Sequence, residues 1–132
     1  MSEEWAFKNF LDREGRNLIK AWLDSRDVRV KAKAKLNARI RHLSISDHSE
    51  WPRPWFQKLE GYEGVFEIKM IQQNIQYRPL GFFGPGQRQF TLVLGAIEVG
   101  NRITPPDAFR TAERRMKDVQ ENRNGICDHD FS

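Results

Sequence analysis

The chain has 132 residues, 39% of them hydrophobic, with nine Phe and four Trp. That length and composition fit one domain around one core and exclude a disordered chain. The charged fraction of 30% and net charge of +4 fit an anionic partner, meaning nucleic acid, a ribosome or an acidic protein. Cys127 is the single cysteine, so the sequence holds no internal disulfide and suits a reducing compartment. The opening Met1-Ser2-Glu3-Glu4 is acidic with no apolar run behind it. Neither a signal peptide nor a membrane span is expected, and a cytoplasmic location is.

Trp5, Phe7 and Phe10 make Trp5 to Leu11 a short strand, and residues 12–16 read as a turn. Asn17 is a good N-cap for a helix to about Asp24, with Leu18/Trp22 and Ile19/Leu23 paired on its inner face. A second helix is expected from about Val28 to Leu43, because Val28, Ala32, Leu36, Ile40 and Leu43 step by three or four. Its other positions are largely basic: Arg29, Lys31, Lys33, Lys35, Arg39 and Arg41. The two helices should form an antiparallel hairpin. Residues 44–54 read as a loop that Trp51, Trp55 and Phe56 pin to the body.

Three strands follow, over about 65–72, 75–83 and 89–97. Gln73-Asn74 is a tight connection, and Gly84-Pro85-Gly86 makes the next turn. The near-continuous apolar run of the third strand predicts burial on both faces. Short turns make the set an antiparallel meander. Thr104-Pro105-Pro106-Asp107 reads as a capped start for a last helix, whose inner face carries Phe109, Ala112, Met116 and Val119. Residues 122–132 read as a flexible tail, which leaves one domain over 1–121. The expected architecture is α+β: a helical hairpin on one side of a small antiparallel sheet, a C-terminal helix, and the other sheet face open to a ligand.

Several short motifs in this order resemble the RelE/ParE toxin superfamily, in its phage-derived HigB-like branch. They are Leu11-Asp12-Arg13-Glu14-Gly15-Arg16-Asn17, Ala21-Trp22-Leu23-Asp24-Ser25, Lys58-Leu59-Glu60-Gly61, Gly64-Val65-Phe66-Glu67-Ile68-Lys69, Tyr77-Arg78 and Leu92-Val93-Leu94. Thr104-Pro105, Ala112 and Arg115 complete the set, and the resemblance covers residues 7–119. It implies a RelE-like fold and the toxin of a type II toxin–antitoxin system. It also implies metal-independent, cofactor-free cleavage of mRNA on the ribosome, with a helix-turn-helix antitoxin as partner. Where the branch carries a Lys pair after its last strand, this chain reads Glu98-Val99-Gly100. That difference favours a non-catalytic interaction protein on the same fold; a ParE-like gyrase inhibitor is the other alternative.

Such cleavage is attack by the RNA 2′-hydroxyl on the adjacent phosphate, which needs a base, cationic stabilisation and an acid. Lys69 and Arg78 are assigned to the scissile phosphate, with Glu67 as base or orienting partner. Glu67 and Lys69 are two apart on one strand and share a face; a solvated ion-pair ladder is the plain alternative. Lys69 has a titratable proton and suits the acid. Arg29, Lys31, Lys33, Lys35, Arg39 and Lys58 are assigned to RNA phosphates, against a solvated helix face or a docking face for an acidic segment. His48 is the one histidine worth testing. Cys127, Asp128, His129 and Asp130 lack partners for a metal site.

Overall fold

A computed structural model describes residues 4–47, 51–53 and 55–131. His48 lies outside them. In chain order the elements are β1 (Ala6–Phe10), α1 (Leu18–Leu23), α2 (Val30–Ile45), β2 (Phe56–Lys58), β3 (Phe66–Ile68), β4 (Met70–Gln72) and β5 (Ile75–Phe83). There follow β6 (Gln89–Val99), β7 (Arg102–Thr104), α3 (Ala108–Glu121) and β8 (Ile126–Asp128). Asn17 caps α1, its side chain accepting from the Lys20 N–H at 3.0 Å. The helix α2 starts at Val30, two residues later than expected, because Arg29 is extended at φ −65, ψ 152.

The sheet is larger than the expected antiparallel meander, and it is mixed. Its order is β2-β3-β5-β6-β1-β8, with β4 also on β5 and β7 also on β6. The strand β1 runs parallel to β6, Phe7 opposite Phe90 and Asn9 opposite Leu92. Only strands joined by short turns announce their pairing locally; β1 reaches β6 from the far end of the sequence. Gln73 and Asn74 do form the two-residue β4–β5 turn, both at positive φ.

Helices cover both faces. On one, α1 and α2 bury Ile19, Leu23, Ala32, Leu36, Ile40 and Leu43 against Phe7, Tyr77, Phe90 and Leu92. Each fully buried Leu or Ile there stabilises the fold by about 1.5–3 kcal/mol. Gly95 lets α1 approach, since a Cβ there would lie 1.9 Å from the Trp22 ring. On the other face, α3 sets Ala112, Met116 and Val119 against Leu80, Val93, Leu94 and Ala96. That face is therefore only partly open, contrary to expectation. The inner stripe of α3 is as expected, but its N-cap is Asp107 and Thr104 ends β7.

A bulge between Leu80 and Gly81 leaves Val93 as the extra residue on β6. The Arg115 guanidinium donates to the Val93 carbonyl at 2.9 Å, satisfying a group the bulge takes out of the ladder. Trp51 is buried and donates to the Leu43 carbonyl at 2.9 Å, pinning the loop as expected.

The segment expected to be a flexible tail is corrected by β8, which pairs antiparallel with β1. His129 beyond it is buried, with Nδ1 2.9 Å from Asn9 Oδ1 and Nε2 2.9 Å from Asn37 Oδ1. Polar residues that look like a solvated end in sequence here meet partners more than ninety positions away; a neutral imidazole donates from one nitrogen only, and Asn9 Nδ2 has no hydrogen-bond partner among the described residues. No helix among the described residues is long and apolar enough to cross a membrane.

Candidate functional site

The α3 face of β3, β5 and β6 carries a charged strip. Side chains alternate along a strand, and Leu80, Leu94 and Ala96 pack under α3. Arg78, two before Leu80, and Glu98, two after Ala96, therefore share that face. So does Glu67, whose register partner is Leu80, and Gln57, whose partner is Glu67. Gln57 Nε2 donates to Glu67 Oε1 at 2.6 Å. Arg78 Nε and Nη2 both lie 2.5 Å from Glu67 Oε2, and Arg78 Nη1 donates to Glu98 Oε1. The guanidinium carbon sits 5.2 Å from the Phe109 ring centroid on α3.

Gln57, Glu67, Arg78 and Phe109 line an open cleft of about 1080 Å³ between the sheet and the start of α3, and Glu98 lies outside its lining. Tyr62 and Phe109 meet edge to face beside it, 5.7 Å between centroids. Its charged lining is Arg53, Lys58 and Arg78 against Glu60, Glu63, Glu67 and Glu113.

Burial divides the roles. The Glu67 side chain is 2% exposed, with Oε1 accepting from Gln57 and Oε2 from Arg78. It holds the Arg78 plane. Arg78 is 13% exposed. Of its five N–H donors, Nε–H and one on Nη2 go to Glu67 and one on Nη1 to Glu98. Two remain for a ligand. Glu98 is 22% exposed, making it the carboxylate of the strip with access to water.

Lys69 follows β3 directly. Ile68 and Met70 pack on the α1–α2 side; Lys69 lies at the break between β3 and β4 and is not among the residues that line the cleft. The register running from Glu67/Leu80 to Met70/Tyr77 sets it opposite Arg78. Its amide N–H donates to the Trp55 carbonyl, and its carbonyl accepts from Arg39.

The remaining assigned residues divide between the two faces of the sheet. Lys58 lines the cleft. The α2 group lies on the far side and is itself dispersed. Arg29 donates to Gln73 at the hairpin tip, 2.6 Å. Lys33 is 2.5 Å from Asp24, whose carboxyl is held below its usual range first by that Lys33 hydrogen bond. Arg39 stacks 3.8 Å from the Trp55 ring centroid, and burial lowers its pKa. Lys31 and Lys35 are exposed.

Sequence reasoning missed Gln57 and Glu98. The signal for Glu98 was present: in a β5–β6 hairpin, strand alternation places it on the same face as Ala96, and Ala96 is opposite Arg78.

Fold and site together define an α+β protein, with three helices and a mixed eight-stranded sheet among the described residues and a charged open cleft beneath α3. Comparison with family models, curated proteins and solved structures finds no match to this chain.

Proposed function

We propose that the chain is a RelE/ParE-type toxin of the HigB-like branch, and that it cuts mRNA on the ribosome. The observation that carries this reading is Arg78, held rigid by Glu67 and Glu98 in an open cleft with two donors unspent. The motif order over residues 7–119 supports it. In this reading the RNA 2′-oxygen attacks the adjacent phosphorus and the 5′-oxygen leaves, giving a cyclic phosphate and a free hydroxyl. Arg78 stabilises the phosphorane charge. Lys69 protonates the leaving oxygen, and Glu98 receives the 2′-proton. Glu67 acts by positioning Arg78, and Lys58 steers the strand. The toxin works in the cytoplasm, without a cofactor, and a helix-turn-helix antitoxin restrains it.

The second reading is a non-catalytic interaction protein on the same fold. It is favoured by Glu98: two carboxylates on one guanidinium carry a net negative charge, which repels phosphate.

Purified chain in a reconstituted translation reaction tests both. Ribosome-dependent cuts that vanish in Lys69→Ala, with its thermal melt unchanged, are expected. Intact mRNA with wild-type chain favours the second reading, and block of DNA supercoiling instead points to a ParE-like gyrase inhibitor.

A further inference from the structure

The helix α2 carries apolar residues on two opposite sides. Ala32, Leu36, Ile40 and Leu43 face the core. Val30, Ala34, Ala38 and Ile45, at about 100° per residue, line the ridge opposite, with Arg41 on it between Ala38 and Ile45. All four apolar ridge residues are exposed, Val30 at 85% and Ile45 at 53%. A helix packed on one side normally keeps its outer face polar.

The apolar exposure is concentrated here. Of the five large exposed hydrophobic residues among those described, Val30 and Ile45 lie on α2, and Trp55 and Ile71 lie beside it. Two shallow grooves flank the ridge and share Ala38. One, about 380 Å³, runs between α2 and Trp55, Met70 and Ile71. The other, about 470 Å³, runs between α2 and Phe131. Small side chains on a ridge between grooves let a second helix approach closely.

The charge is one-sided. From Val30 to Ile45 the helix holds five Lys or Arg and no Asp or Glu. Lys31 and Lys35 on one flank have no ion pair among the described residues. Arg41, near the other groove, is 4.4 Å from the Phe131 ring centroid.

We infer that the outer ridge of α2 docks a protein partner that presents an amphipathic helix with acidic flanks. RNA fits it less well. Phosphates would engage the cations but leave the aliphatic ridge without a complement. The two groove aromatics already carry a guanidinium each, Arg39 on Trp55 and Arg41 on Phe131, which takes one face of each ring from a base. The ridge lies across the sheet from the cleft, so this partner binds independently of any cleft ligand. The inference goes beyond the RNA-cleavage reading and does not depend on it.

The test is an NMR titration of the isotope-labelled full chain with three probes. They are a synthetic amphipathic helix of about five turns with a Leu stripe flanked by Glu, the same peptide with Lys for Glu, and a short single-stranded RNA. The Glu peptide should shift the amides of Val30, Ala34 and Ala38 and bind at least tenfold more tightly than the Lys peptide. Ala38→Glu, an exposed change that keeps the fold, should weaken the Glu peptide tenfold or more. Equal binding of the two peptides, no shift with the Glu peptide, or ridge shifts with RNA alone would each overturn the inference.

Discussion

Arg78 shows how a buried charge constrains its neighbours. Its guanidinium offsets the desolvation of Glu67, which is 2% exposed. Removing one member of such a pair leaves the other uncompensated. Arg78→Ala should therefore cost about 3–5 kcal/mol of stability, read by urea denaturation. Glu98→Gln should cost far less than Glu67→Gln, because Glu98 reaches water; equal losses in those two variants would show that the two carboxylates are equivalent. Gly95→Ala should also destabilise strongly, since its Cβ would lie 1.9 Å from Trp22. Overpacking of this kind costs about 1–3 kcal/mol or more, and a trimmed partner, Trp22→Leu, should recover part of it.

His129 makes a prediction in pH. Burial lowers its pKa from 6.5 to about 4. Below pH 6.5 the unfolded chain takes up a proton that the folded chain refuses. The stability is thus fully present above pH 6.5, falls as pH drops toward 4, and is gone below that. The total is about 3 kcal/mol. Denaturation midpoints of wild type and His129→Gln should converge between pH 7 and pH 4.5. Parallel midpoints across that window would mean that His129 titrates normally in the fold.

At the scale of elements, β8 matters most. It closes the free edge of β1, and its three residues pair with Lys8, Asn9 and Phe10. His129 and Phe131 continue its attachment: the Phe7 carbonyl accepts the His129 N–H at 3.0 Å, and Asn37 donates to the Phe131 carbonyl at 3.4 Å. Deleting residues 125–132 should expose the β1 edge, lower the thermal midpoint and raise aggregation. A truncated chain as stable and monodisperse as the full one would reduce β8 to an accessory. The helix α2 differs in kind: its inner stripe is structural and its outer ridge is spare apolar surface.

Across the whole molecule, the sheet separates two charged regions. The strip of Glu67, Arg78 and Glu98 faces α3, while Lys31 and Lys35 lie on α2 across the sheet. Substitutions in the two regions should act additively. If the chain cuts RNA, Lys31→Ala with Lys35→Ala should leave the cut sites unchanged while Lys69→Ala removes them. A double-mutant cycle with strong coupling would show that one ligand spans both faces.

What local chemistry decides was legible in the sequence. The Asn17 cap, the Gln73-Asn74 turn and the inner stripes of α2 and α3 depend on residues a few positions apart. The single strand expected over about 65–72 is instead two, β3 and β4, with Lys69 at the break between them. The tertiary structure alone decided the parallel β1–β6 pairing, the return of β8 to β1, and the meeting of Arg78 with Glu98. It also set the basic helix away from the cleft. These pairings join buried polar groups and close edges through contacts 20 to 120 positions apart, as between Arg78 and Glu98 or His129 and Asn9. Periodicity shows which side of an element is apolar, but only packing decides what lies against it.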